Sequence, residues 1–172
     1  MNKPLIHFIH GKESGPWGTK IRILAEIARE MGYDVESIDY SNTFDPVERT
    51  HILVESCKKR PPVLLAGSSM GGWVALTTSA LLAKLEKQSL KGLFLMAPAV
   101  DVPGYPPYQI GCNGHHIDIV HGWHDSLIPY SKVVIFAHKH HCSLHLVDDE
   151  HRLKNRLDQL GQIFRNFLTR MR

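Results

Sequence analysis

Cysteine is scarce in this chain and carries no pattern. Cys57, Cys112 and Cys142 are odd in number and far apart, with no C-x-x-C pair. That argues against a disulfide framework or a zinc knuckle and favours free thiols in a reducing compartment. Long hydrophobic runs are missing too. The longest apolar stretches are about six residues, where a membrane span needs roughly 20. Met1-Asn2-Lys3-Pro4 leads straight into a strand-like run, with no basic leader, apolar segment and small-residue cleavage site. A cytoplasmic protein without a membrane span is expected. No charge sign dominates: 20 Lys and Arg against 17 Asp and Glu leave +3, with no long basic block, which speaks against nucleic acid as a partner. The 13 Gly and 10 Pro are scattered, so collagen-like and low-complexity chains are excluded. What remains is ordinary globular composition, 43% hydrophobic and 22% charged over 172 residues. That length suits one sizeable core and is short for two, so residues 1–172 are read as one domain.

Short apolar runs alternate with helical patterns. Leu5 to Ile9, Tyr33 to Tyr40, Val63 to Ala66, Gly92 to Ala97, Ile117 to Val120 and Ser143 to Val147 read as strands. Ile21, Leu24, Ile27, Ala28 and Met31 recur at helical spacing, with Gly32 as a stop. Asp45-Pro46-Val47-Glu48 opens a helix running to about Lys59: an acid at the N-cap, proline at the first position, Glu three residues after the cap. Gly71 to about Leu85 and Ser131 to about His138 are further helices. Leu153, Leu157, Leu160, Phe164 and Phe167 predict a last amphipathic one. Six strands with helical or long crossovers imply an α/β three-layer sandwich, a parallel sheet with helices on both faces. Ligands then sit beyond the carboxyl ends of the strands.

The third strand runs into Gly67-Ser68-Ser69-Met70-Gly71-Gly72 and then a helix. This G-x-S-x-G, set between strand and helix, is a nucleophile elbow. A strained turn that exposes a serine needs small neighbours, which Gly67 and Gly71 supply, and Gly72 lets the helix approach the sheet. The hydroxyl of Ser69 then stands at a helix N-terminus, where developing negative charge is favoured. A serine nucleophile needs a base, and the base an orienting acid. Asp125 lies just past the fifth strand and His151 just past the sixth, so both fall on the rim that holds Ser69. Asp101, after the fourth strand, is a rival acid. Asp148 and Asp149 sit too close to His151 along the chain to be its partner. For a tetrahedral oxyanion, the backbone N–H of Met70 and that of Lys12 in the loop after the first strand are the candidate donors, with Gly11 turning that loop.

Taken together, His10-Gly11, Gly67-Ser68-Ser69-Met70-Gly71-Gly72, His121-Gly122-x-x-Asp125-x-x-Ile128-Pro129 and Asp148-Asp149-x-His151-Arg152 resemble the alpha/beta-hydrolase superfamily over essentially the whole chain. More narrowly they resemble the small cap-less esterases and acyl-thioesterases, including the bacterial YqiA-like group. The resemblance implies an eight-stranded core reduced to six strands in the order 2-1-3-4-5-6, a Ser-His-Asp triad and no cofactor. Three features depart from the family pattern. Charged Lys12 and Glu13 stand at an oxyanion position that is often apolar. Asp148-Asp149-Glu150 stands where a glycine often precedes the histidine. The cap usually inserted after the fourth strand is reduced to the loop 98–114. Tyr105 and Tyr108 in that loop, with Pro103, Pro106, Pro107 and Ile110, are either an acyl pocket or a stiff surface loop. Trp123 is a further pocket candidate.

Twelve histidines raise a metal site as a rival. His138, His140, His141 and His145, or His115, His116, His121 and His124, are the candidate sets, but neither has regular ligand spacing, and no metal is expected. The first strand–helix turn lacks G-x-G-x-x-G and the second lacks G-K-[ST], which disfavours nucleotide binding. The expected function is a serine hydrolase that cleaves a small-molecule ester or acyl thioester through an acyl-enzyme. The alternative is an inactive binding or scaffold protein of the same fold. Acyl length, the choice among ester, thioester, lactone and peptide, and monomer against homodimer stay open.

Overall fold

The short apolar runs all become strands. The computed structural model describes residues 3–85, 90–110 and 116–172. In it β1 (Leu5–Ile9), β2 (Asp34–Ser37), β3 (Leu64–Ser68), β4 (Gly92–Met96), β5 (Ile117–Gly122) and β6 (Ser143–Val147) form one parallel sheet in the order 2-1-3-4-5-6. Met1, Asn2, Cys112, His115 and the end of the Pro- and Tyr-rich loop (111–114) lie outside the described residues.

Strand residues alternate between two apolar layers, which is why these runs are hydrophobic throughout. On one face Ile9, Leu65, Leu93, Leu95 and Ile119 meet Leu53 and Cys57 of α2 (Pro46–Lys59), Trp73 and Leu76 of α3 (Met70–Leu82), and Val133 and Phe136 of α4 (Tyr130–His140). On the other, Phe8, Ala66, Phe94 and Val120 meet Leu24 and Ala28 of α1 (Thr19–Glu30) and Phe164 and Phe167 of α5 (Leu157–Arg170). Burying side chains of this size stabilises by roughly 1.5–3 kcal/mol each. The chain leaves β1 in one direction for β2, then crosses back over β1 to β3. The switch point therefore lies between β1 and β3, the place at which sheets of this kind bind their ligands.

Three elements differ from the sequence expectation. The second strand stops at Ser37, because Tyr40, though buried, gives its N–H to His10 Nε2 at 2.9 Å instead of to a neighbouring strand. At α2 the Asp45 carboxylate caps the N–H of Val47 at 2.8 Å as expected, but Glu48 does not reach back to the Asp45 N–H. Thr43 Oγ1 stands between them, donating to Glu48 at 2.5 Å and accepting from Asp45 N–H at 3.2 Å. The last helix begins at Leu157. Leu153 is buried in the same core yet stands outside the helix, with φ of 50°.

Candidate functional site

The turn after β3 holds one side chain forward. Ser69 has φ 54° and ψ −116°, a strained conformation costing of the order of 1–3 kcal/mol for a residue with a Cβ. Its N–H donates to the Met96 carbonyl at 2.9 Å, and its carbonyl accepts from Gly72 at 2.9 Å and Ala99 at 3.0 Å. The flanking glycines have no alternative. A Cβ on Gly67 would lie 2.2 Å from the Gly71 carbonyl oxygen, and one on Gly71 would lie 2.1 Å from that of Ile9. Both obstacles are backbone. At Gly72 the obstacle is the Pro98 ring, 2.8 Å away. Gly11 is different: its φ is not positive, and a Cβ there would lie 3.5 Å from Ser69 Cβ, ordinary contact. The loop does not need glycine to turn at Gly11, contrary to the sequence expectation; a Cβ there would face the serine.

Ser69, His151 and Asp125 meet. His151 Nε2 lies 3.0 Å from Ser69 Oγ, and His151 Nδ1 lies 2.7 Å from Asp125 Oδ2. An ionised carboxylate only accepts, so Nδ1 carries the proton and Nε2 presents its lone pair to the hydroxyl. Burial works against the charge on Asp125, but the hydrogen bonds from His151 and from the Ile128 N–H outweigh it and hold the carboxyl below its usual range. Asp125 Oδ1 accepts the N–H groups of Leu127 at 2.9 Å and Ile128 at 2.8 Å, which fixes the loop after β5. Beneath it, buried His121 donates from Nε2 to the Ile128 carbonyl at 2.9 Å. Asp101 is exposed on the loop after β4, with no hydrogen bond to His151.

Two acids that the sequence reading left without a role shape the His151 loop. Asp149, buried, accepts from the N–H groups of Glu150 (2.7 Å), Asn155 (2.9 Å) and Arg156 (3.0 Å) and from Asn155 Nδ2 (2.9 Å). Asp148 pairs at the surface with His124 at 3.0 Å and Arg156 at 2.7 Å.

The loop after β1 borders the serine. Among the described residues the Lys12 N–H donates to no protein acceptor, while its ammonium lies 5.6 Å from the centre of the Phe44 ring. Met70 is the first residue of α3, where an N–H has no intrahelical acceptor. Sequence reasoning missed Arg49. Its side chain is wholly buried. Its guanidinium donates to the carbonyls of His10 (3.1 Å), Gly11 (3.2 Å), Tyr40 (3.2 Å) and Thr43 (2.9 Å). An arginine on a helix ordinarily reads as a solvated charge, and nothing in its spacing marked it.

This architecture recurs among solved structures. A candidate hydrolase of the alpha/beta superfamily from Xanthomonas campestris pv. campestris superposes with a TM-score of 0.87 at 31% identity, over 98% of this chain and 99% of that one. This chain belongs to the alpha/beta hydrolase superfamily. Two structures of lower identity share the fold. Est1E from Butyrivibrio proteoclasticus gives a TM-score of 0.78 at 18% identity, over 99% of this chain and 88% of that one. An alpha/beta serine hydrolase without a lid from Xanthomonas campestris gives 0.71 at 20%, over 99% and 83%. No family model and no curated protein matches the sequence. Hydrolysis is the activity that this fold and these neighbours suggest.

In this alpha/beta hydrolase the loop after β4 packs inward. Tyr105 lies edge-on to Trp73 with ring centres 6.1 Å apart, Tyr108 edge-on to Phe136 at 5.2 Å, and Trp73 Nε1 donates to the Pro106 carbonyl at 3.1 Å. Trp73, Tyr105, Pro106 and Tyr108 line a cleft of about 770 Å³ with Val102, Ile110 and His140. Ser69 is not among its walls; Trp73, one turn further along α3, is the nearest link along the chain. Trp123 does not join this cleft. It stands half exposed against Tyr130, ring centres 4.9 Å apart. The histidines are dispersed: His145 faces Asp118 at 3.3 Å, His124 faces Asp148, and His121 lies under Asp125. Among the described residues no cluster of His, Cys, Asp or Glu could hold a metal ion, and no helix is long and apolar enough to cross a membrane.

Proposed function

We propose that this alpha/beta hydrolase is a serine hydrolase cleaving carboxylic esters or acyl thioesters through an acyl-enzyme on Ser69. The observation that carries the reading is the continuous hydrogen-bonded path from Ser69 Oγ through His151 to Asp125. The Ser69 proton passes to His151 Nε2 as Oγ bonds to the substrate carbonyl carbon. Asp125 keeps His151 in the tautomer that can accept it and stabilises the imidazolium that forms. The Met70 and Lys12 N–H groups receive the tetrahedral oxyanion, and losing one such donor typically costs roughly 10²–10³ in rate. His151 returns the proton to the departing alcohol or thiol. Water then gives its proton to His151, its oxygen bonds to the acyl carbon, and the acid leaves as Ser69 regains its proton.

Labelling with a fluorophosphonate probe, together with turnover of a short 4-nitrophenyl ester, tests this. The wild-type protein should be labelled and active, and Ser69→Ala should lose both while keeping its Tm. An unlabelled, inactive wild type would point to the scaffold reading, in which the fold persists without chemistry.

A further inference from the structure

Lys20 holds a cation whose hydrogen-bond partner is a neutral hydroxyl, not a carboxylate. It stands in the first turn of α1, and no acid accompanies it there, so it sits at the positive end of a helix dipole that disfavours it. Its ammonium donates to Ser68 Oγ at 3.0 Å, on the residue immediately before Ser69. The charged groups facing it are Asp149 and Asp125 on one side of the balance and Lys154 and Arg152 on the other. Both acids attract the ammonium, but their direct hydrogen bonds go elsewhere. Both Asp149 oxygens are taken by Glu150, Asn155 and Arg156, and Asp125 is taken by His151, Leu127 and Ile128. Among the described residues Lys20 makes no ion pair. Partial burial, more than the neighbouring cations, lowers its pKa to about 8. An unpaired, partly desolvated cation is costly unless something else brings the counter-charge. Beside it the N-terminus of α3 adds to the positive field around Ser69.

We propose that Lys20 is a specificity-determining residue that receives an anionic group of the substrate, so that the preferred substrates are negatively charged esters or thioesters. This rests on the serine-hydrolase reading above.

The test uses two matched pairs that differ in one charge. Mono-4-nitrophenyl adipate against its methyl ester places the charge on the acyl side. 3-Acetoxybenzoate against methyl 3-acetoxybenzoate places it on the leaving group. The readout is the ratio of kcat/KM, anionic over neutral, corrected for the hydroxide rate of each ester. In at least one pair the wild-type ratio should exceed unity. It should then fall about 10- to 100-fold in Lys20→Met, the range for hydrogen bonds to charged groups, and be partly kept in Lys20→Arg. In the wild type alone, the ratio should fall as pH rises through about 8, a measurement that stands even if Lys20→Met does not fold. Equal ratios in wild type and Lys20→Met, or a wild-type ratio flat from pH 6.5 to 9.5, would overturn the proposal while leaving the hydrolase reading intact. No cleavage of any ester and no fluorophosphonate labelling would overturn both.

Discussion

The guanidinium of Arg49 lies 3.1 Å from the His10 carbonyl and 3.2 Å from that of Gly11, with no carboxylate within ion-pair distance among the described residues. A buried charge is ordinarily paired; here four carbonyls take the place of a counter-ion. The Gly11 carbonyl shares its peptide plane with the Lys12 N–H, and the His10 carbonyl belongs to the peptide before it, so the orientation of the Lys12 N–H depends on a side chain 37 residues away in α2. Arg49→Lys keeps the charge but not the planar fork. It should lower kcat by about tenfold or more, up to the roughly 10²–10³ ceiling of one oxyanion donor, with KM little changed. Arg49→Met strands several buried acceptors, each costing about 1–3 kcal/mol, and should lower Tm sharply. Normal kcat in Arg49→Lys would remove Arg49 from any role in positioning.

Asp125→Asn separates the acid's two tasks. The amide can still accept the Leu127 and Ile128 N–H groups through its oxygen, so the loop should hold. Its NH₂ would then face His151 Nδ1, inverting the tautomer. A drop in kcat of about 10⁴ is expected, with Tm within a few degrees of wild type. Asp101→Asn should leave kcat near normal, since no hydrogen bond joins Asp101 to His151. Reversed outcomes would move the acid to Asp101.

Much of this was legible along the chain because the signals are local. A parallel strand buried on both faces must be apolar throughout, which marks β1, β3 and β4. Asp45-Pro46 announces α2 through a missing N–H and a caps-ready carboxylate. G-x-S-x-G shows itself because only glycine clears the backbone at Gly67 and Gly71. What was not legible depends on distant backbone. Leu153 has helical spacing and core burial, yet Asp149 bends the chain there by taking N–H groups of Glu150, Asn155 and Arg156. Arg49 and Lys20 look like surface charges until the carbonyls of one loop and the hydroxyl of Ser68 are brought to them. Trp123 has the right neighbours in sequence for a pocket, but its ring turns to Tyr130 instead.

The glycines should therefore split into two classes. Gly71→Ala forces a Cβ to within 2.1 Å of the Ile9 oxygen, so β1 and β3 must part or α3 must shift. Overpacking usually costs about 1–3 kcal/mol, and this backbone collision should reach or exceed the upper end. Gly11→Ala meets only ordinary contacts and should change Tm little, yet its methyl would stand 3.5 Å from Ser69 Cβ, where it should crowd the carbonyl that the proposed mechanism brings to Ser69. Its kcat/KM should fall about tenfold or more, on the scale of a weakened oxyanion contact. Thermal melts and ester kinetics on the same two variants decide it. A Gly11→Ala protein with full activity would place the substrate elsewhere.

Acid should weaken the fold through buried imidazoles. His7, His10 and His121 are fully buried, and burial, the largest influence on each, lowers their pKa below the ordinary 6.5. His10 shows why. Nδ1 donates to the Gly11 carbonyl at 2.8 Å and Nε2 accepts the Tyr40 N–H at 2.9 Å, so a second proton would set two donors against each other. At His121 a proton on Nδ1 would find no acceptor among the described residues. The unfolded chain binds these protons near pH 6.5 and the native protein only at lower pH, so below that value the unfolded state carries more of them. The stabilisation is complete above pH 6.5 and is lost as pH falls through the lowered native values. Tm measured from pH 8 to 4.5 at constant ionic strength should be level at first and then decline. His10→Gln, whose amide can keep a donor and an acceptor, should show a shallower decline than wild type. A wild-type Tm unchanged to pH 4.5 would mean that these rings take up protons as readily in the native protein as in the unfolded chain.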